Sequence, residues 1–319
     1  MAATVTIRWV VDDAVKTGGL ADLAAARAAG GTTWIDVLEP DAKTIKSLAG
    51  TFTLHPLAVE DMLHFPQRPK TDSYAENLFL VWIAPQLTSA KAMQADEVDV
   101  FLGTDYLITS HQIPIRAIDE VAADACGVLA KGAEWTLHSI LDLSVDEMFP
   151  VIDMVGEELD RIEDELLEQV RDSQLRELYD VKRVMLDLHK IIGPERDVLR
   201  SMARCDEFVS QEAYLYFQDV GDHVARISDG VDTYRDVASS VMDIYLSAIS
   251  NRLNVVMKQL TVVATIFMPL TLITGIYGMN LTRNMWPSTE WALSFPAVIG
   301  SCVVIVVGML YVFKRRGWW

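Results

Sequence analysis

The stretch "LTVVATIFMPLTLITGIY", Leu260 to Tyr277, runs for 18 residues without a charge. At 1.5 Å per residue such a helix nearly spans a hydrocarbon core about 30 Å thick. It runs into "GMN", Gly278 to Asn280, where a membrane helix ordinarily ends on charged or aromatic anchors. A second uncharged run, Trp291 to Phe313, follows. Two membrane-spanning helices at the C-terminal end therefore organise the reading of everything before them.

The flanks orient these spans. Lys314, Arg315 and Arg316 follow the second, and Arg252 and Lys258 stand at or before the start of the first. The connection Gly278 to Trp291 holds one Arg283 and one Glu290. Cationic loops stay in the cytoplasm, so both termini are expected there and the short connection outside. The opening "MAATVTIRWVVDDA" has neither a basic start nor a long apolar segment, unlike a secretory signal. The chain is thus expected in a bacterial cytoplasmic membrane, in contact with its lipids, with a cytoplasmic part before about residue 245.

The 319 residues carry 45 Asp and Glu against 27 Lys and Arg, a formal charge of −18. That sign opposes binding to nucleic acid or to an anionic membrane surface, and suits acids that bind cations. Cys126, Cys205 and Cys302 are scattered and imply neither a disulfide framework nor a metal motif. The six histidines form no HExxH pattern, and neither a Walker motif nor a nucleophile elbow is present. An enzyme is not expected.

Along the chain, "TVTIRWVV", "TTWIDVLE", "NLFLVWIAPQL", "DEVDVFLG" and "DYLITSHQ" read as strands, with "DAKTIKSLAGTF" and "HPLAVEDMLH" as short helices. This predicts an α/β domain over 1–135. Long helices follow over 136–207, with a turn or kink at Gly193–Pro194. From about Phe208 the helical period is unbroken by proline until Pro269. One helix of about 70 residues over 208–277, about 100 Å long, is expected to run from a cytoplasmic stalk into the first span. An external loop (278–291), a second span (292–313) and a basic tail (314–319) complete the chain.

On that long helix Asp243, Ser250, Asn254, Met257, Thr261, Ala264, Met268, Thr271, Gly275 and Gly278 are spaced 7, 4, 3, 4, 3, 4, 3, 4 and 3 apart. A period of 3.5 keeps one face toward a neighbour or a central axis. Small residues and threonines commonly pack membrane helices together. Asp243 and Asn254 favour a water-filled path, because polar groups near a membrane must be solvated or paired. One stripe cannot enclose a channel, so that path needs several copies of the chain.

The segment Asp243 to Asn280, "DIYLSAISNRLNVVMKQLTVVATIFMPLTLITGIYGMN", resembles the CorA magnesium-transport family, as does the layout of the whole chain. "HPLAVED" (His55 to Asp61) and "QRPK" (Gln67 to Lys70) also match stretches of that family. The resemblance implies an α+β membrane protein forming a funnel-shaped homopentamer, with five first spans lining a pore and five second spans around them. It makes Asn280, with Gly278 and Met279, the outer mouth that meets hydrated divalent cations. Thr271 and Met268 become lower pore positions, Asn254 an inner polar ring, and Asp243 an acidic ring at the cytoplasmic end. Met257 and Leu260 become an apolar gate.

The resemblance also implies a regulatory Mg²⁺ site, with Asp61 and Asp219 facing each other across a subunit boundary and Glu60 and Asp142 completing it. His55 is left to helix-start packing. In the magnesium members an acidic Met-Pro-Glu-Leu type loop usually follows the motif; here the loop reads "LTRNMWPSTEW" (Leu281 to Trp291). The expected function is a Mg²⁺ channel that also admits Co²⁺ or Ni²⁺, driven by the membrane potential and closed by internal Mg²⁺. A zinc transporter of the same superfamily and a non-transporting membrane scaffold are the competing readings.

Overall fold

The computed structural model describes residues 3–12, 14–202, 205, 207–279 and 293–318, with 86–88 described by backbone alone. The chain divides into two compact units, Met1–Asp243 and Ile244–Trp319.

The first unit is built on a seven-stranded sheet. Its strands are β1 (Thr4–Val11), β2 (Ala14–Gly18), β3 (Thr33–Leu38), β4 (Lys70–Ser73), β5 (Leu78–Ser89), β6 (Ala92–Leu102) and β7 (Tyr106–His111). They lie in the order β2-β1-β3-β7-β6-β5-β4. The β3–β7 pair is parallel and the other pairs are antiparallel. The five strands expected from β-branched and aromatic content are present. β2 and β4, which sequence reading did not find, are the sheet's two edges. Both are short and each carries a lysine, as edges that must resist pairing with another chain tend to.

Strand alternation gives the sheet two buried faces. On one, Ile7, Ile35, Val37, Phe79, Val81, Phe101 and Ile108 pack with helices α1 (Leu23–Ala28), α2 (Ala42–Phe52) and α3 (Pro56–Asp61) through Ala26, Ile45, Leu48, Phe52 and Ala58. The other face buries Trp34, Leu80, Trp82, Val98, Val100 and Leu107. Helices α4 (Arg116–Ala123), α5 (Ala125–Lys131) and α6 (Ala133–Asp146) follow β7, and Trp82 Nε1 donates to Ser144 Oγ on α6 at 3.1 Å.

α7 (Phe149–Glu168) and α8 (Asp172–Met202) complete the unit with the start of α9 (Gln211–Gly278). Ion pairs tie α7 to its neighbours: Arg161 pairs with Glu158 and Glu165 on α7 and with Glu177 on α8, and Lys91 with Glu158 and Glu177. The Gly193–Pro194 pair does not end α8, which continues to Met202. Burial holds it: Ile191, Ile192, Glu195, Val198 and Leu199 are covered, and the Ile83 N–H on β5 donates to Glu195 Oε1 at 3.3 Å. On α9, Ala213, Phe217, Val220, Val224, Ile227, Val231, Ala238 and Val241 form a buried seam at three- and four-residue steps, one step doubled. Gly230 lets α7 approach closely, since a Cβ there would lie 3.1 Å from Ile152.

The second unit holds the rest of α9, which is 68 residues long in all, and α10 (Ser294–Arg315). Among the described residues, these two helices are long and apolar enough to cross a membrane. Their half-buried positions form two complementary seams. On α9 from Lys258 onward these are Lys258, Val262, Ile266, Pro269, Leu270, Ile273 and Tyr277. On α10 they are Ser294, Val298, Cys302, Ile305, Val306, Met309, Leu310 and Phe313. Lys258 Nζ donates to the Gly317 carbonyl at 2.9 Å, tying the two ends together.

A buried polar chain fixes the parallel β3–β7 pair. Trp34 Nε1 donates to Thr109 Oγ1 (3.0 Å), which donates to Asp36 Oδ1 (2.7 Å). Asp36 also accepts from His111 Nε2 at 3.0 Å, and His111 Nδ1 faces the Ile113 carbonyl. Two acceptors on one ring call for the imidazolium. Burial opposes that charge, but Asp36 outweighs it and His111 titrates above its ordinary value. Its contribution to stability is therefore complete below about pH 6.5 and lost as pH rises through the raised value. Thermal unfolding of the purified chain from pH 6 to pH 9 should show stability falling with pH. His111→Gln should cost about 1.5–3 kcal/mol at pH 6 and flatten that slope.

Candidate functional site

Two sets of residues bear on function. The first is the stripe on α9. In the second unit Ser250, Asn254, Met257, Thr261, Ala264, Met268, Thr271, Gly275 and Gly278 are all exposed, whereas the half-buried seam lies about half a turn away around the helix. Met257, Leu260 and Met268 are 60%, 62% and 71% exposed. The α10-facing side of α9 is apolar apart from Lys258 at its end, and the exposed stripe mixes amide, hydroxyl, thioether and small side chains.

The threonines hold their hydroxyl protons within the helix. Thr261 Oγ1 donates to Met257 O at 2.8 Å, and Thr271 Oγ1 to Phe267 O at 3.0 Å and Met268 O at 2.9 Å. Each oxygen keeps lone pairs free to accept from water. Pro269 lacks an N–H and so leaves the Thr265 carbonyl without its helical donor. Asp243, which closes the first unit, is exposed on α9. Gly278 is the last residue of that helix, and Met279, just past it, is exposed. Asn280, Arg283 and Glu290 lie outside the described residues.

The second set is acidic and lies in the first unit. Asp142 and Asp146 stand one turn apart on α6, and Asp219 and His223 one turn apart on α9. One ligand atom each of Asp142, Asp146 and His223 lies within 4.8 Å of the others. His223 Nδ1 is 3.7 Å from Asp146 Oδ1, and its Nε2 is 3.9 Å from Asp219 Oδ2. Burial holds the Asp142 carboxyl above the usual range; Asp146 and Asp219 push the same way, against His138 and His223. The structure thus gathers Asp142 and Asp219 and adds Asp146 and His223, which sequence reading missed. The i,i+4 spacing within each helix was legible; that α6 and α9 bring the two pairs together was not. The carboxylates suit Mg²⁺, and the imidazole suits Co²⁺, Ni²⁺ or Zn²⁺.

Asp61 and Glu60 end α3 and belong to a different neighbourhood. Asp61 Oδ2 accepts from Lys70 Nζ at 2.6 Å, and Lys70 also lies 3.3 Å from Asp72. Lys70 was likewise not singled out from the sequence. His55 caps α3: its Nδ1 accepts from the Leu57 N–H at 3.3 Å, and its ring stacks on Tyr74 at 4.4 Å.

Residues 29–315 match the family described as CorA-like Mg²⁺ transporter protein. The cobalt/magnesium transport protein CorA of Thermotoga maritima is 34% identical over 297 residues, covering 90% of this chain and 83% of that one. The zinc transport protein ZntB of Pectobacterium atrosepticum is 25% identical over 256 residues, covering 79% of this chain and 77% of that one. In fold, the CorA magnesium transporter of Methanocaldococcus jannaschii matches with a TM-score of 0.84 at 24% identity, over 100% of this chain and 99% of that one. The chain belongs to the CorA-like Mg²⁺ transporter family, a family of transporters and not of enzymes.

Proposed function

We propose that five copies of this chain surround an axis, with the α9 stripe turned inward, and conduct Mg²⁺ across a bacterial cytoplasmic membrane. Co²⁺ and Ni²⁺ are alternative cargo, and both termini lie in the cytoplasm. One observation carries this reading: the half-buried line of α9 from Lys258 to Tyr277 is apolar apart from Lys258, and the polar stripe lies exposed about half a turn away. Facing lipid, Asn254 and the helical threonines would be costly; facing water or an ion they are not.

Each stripe residue then has a role. Asn280, with Gly278 and Met279, forms the outer mouth, where neutral amides bond the water shell of an ion that dehydrates reluctantly. Thr271 offers hydroxyl oxygens and Met268 lines the wall. Asn254 forms the inner polar ring and Asp243 an acidic ring at the cytoplasmic end. Met257 and Leu260 form an apolar gate that blocks ions when it dewets. The membrane potential supplies about 2.3 kcal/mol per charge per 100 mV, twice that for a divalent ion. Residues 1–135 and 136–207 form the cytoplasmic sensor, 208–277 the stalk and pore helix, 278–291 the external loop, 292–313 the outer span and 314–319 the basic tail.

Mg²⁺ bound between Asp61 and Glu60 of one subunit and Asp219 and Asp142 of the next closes the assembly, because carboxylates brought together repel unless a cation lies between them. The imidazole beside Asp142 and the resemblance to a zinc transporter support the zinc branch as the second reading.

In liposomes with a negative internal potential, Asn280→Ala should lower Mg²⁺ uptake at least about tenfold, and undiminished uptake removes the role of the amide. Mg²⁺ flux should need no proton gradient; Zn²⁺ flux that outpaces it and requires the gradient would favour the zinc branch. Currents from Asp142→Ala/Asp219→Ala channels should resist inhibition by internal Mg²⁺, and unchanged inhibition would remove those acids from the regulatory site.

A further inference from the structure

Lys70 has no part in the reading above, yet its ammonium occupies one of the proposed cation ligands. At 2.6 Å from Asp61 Oδ2 it stands where a bound divalent ion would act, and Asp72 holds it from the other side at 3.3 Å. A cation arriving at Asp61 must displace it.

The sheet provides a place for the displaced ammonium. Lys70 pairs with Val81, Val81 with Asp99, and Asp99 with Ser110. Residues paired across strands share a face, so Lys70, Asp99 and Ser110 point the same way. Strands are about 4.8 Å apart, so the Cα atoms of Lys70 and Asp99 are about 10 Å apart, within the span of two facing side chains, one a lysine. Glu97 is two residues along β6 on that same face. Asp99 is fully buried with both carboxylate oxygens unpartnered, and Glu97 Oε1 and Ser110 Oγ are also buried without a partner. Asp99 and Glu97 can share one proton, but buried oxygens still short of donors are costly, and a lysine ammonium with three N–H groups would answer them.

We propose that Lys70 is a tethered competitor for the regulatory cation, paired with Asp61 while the site lacks a divalent ion and turned toward Asp99 and Glu97 once the ion takes Asp61. It sets the Mg²⁺ concentration at which the site fills. This rests on Asp61 being a regulatory ligand, as proposed above.

The test follows the unfolding temperature of the full-length protein in detergent against free Mg²⁺ and reads the midpoint of the Mg²⁺-dependent rise. Lys70→Met should move the midpoint about two- to fivefold lower, the range expected for a partly exposed ion pair. Lys43→Met, which removes an exposed charge on α2, should not move it. Asp99→Asn should raise the midpoint in the native background and leave it unchanged in Lys70→Met, because Asp99 acts through the lysine; a plain field effect would persist in both. Lys70→Gln serves the same purpose should Lys70→Met not fold. If Asp61→Asn raises the midpoint but Lys70→Met or Lys70→Gln does not lower it, the competitor role is wrong and the regulatory site stands. If Asp61→Asn has no effect, the regulatory reading falls and this inference falls with it.

Discussion

A helix that is to lie in a membrane can carry a polar face only if something answers its polar atoms. In α9 the internal answer is partial: the threonine protons go to backbone carbonyls, while the hydroxyl lone pairs, the Asn254 amide and the carbonyl freed by Pro269 remain open. Among the described residues no hydrogen bond from α10 reaches them, and the half-buried line of α9 lies about half a turn away. Copies of α9 around shared water answer all of them together. The proposed assembly, with α10 as an outer helix and an apolar gate, is one way to meet that constraint.

The two parts of α9 use the same period for different ends. Before Asp243 its buried seam packs against protein; in the second unit its apolar seam serves α10 and its polar stripe stays open. A repeat of 3.5 drifts about 20° per heptad on a straight helix, so a stripe kept on an axis implies a gentle left-handed wrap of the helices. The acids near the start of α9 and on α6 meet within the first unit, where Asp142, Asp146 and His223 lie together.

Much of this was legible in the sequence. The spans announce themselves by lack of charge, five central strands by β-branched and aromatic content, and the long helix by an unbroken period. The edge strands β2 and β4 are five and four residues long and hold no aromatic residue, so they do not stand out from the turns around them. Pro194 reads as a helix breaker, but packing of Ile191, Ile192, Val198 and Leu199 carries α8 through it. In the acidic cluster, the spacing of Asp142 to Asp146 and of Asp219 to His223 could be read, whereas their meeting depends on how α6 and α9 pack. The contact of Lys70 with Asp61 depends on β4, one of the two edge strands not evident in the sequence. Asn280, on which the outer mouth turns, lies outside the described residues, so its role rests on the resemblance and on the chemistry of an amide.

Side-specific accessibility tests the central claim most directly. In a chain with Cys126, Cys205 and Cys302 replaced, single cysteines from Ser250 to Gly275 would be exposed to a charged, membrane-impermeant thiol reagent in a reconstituted membrane. Asn254, Met257, Thr261, Ala264, Met268 and Thr271 should react, more slowly when a divalent cation is present in the path, and Val263 and Phe267 should be protected. Reaction that follows Val263 and Phe267, or that shows no 3.5-residue period, would contradict the claim.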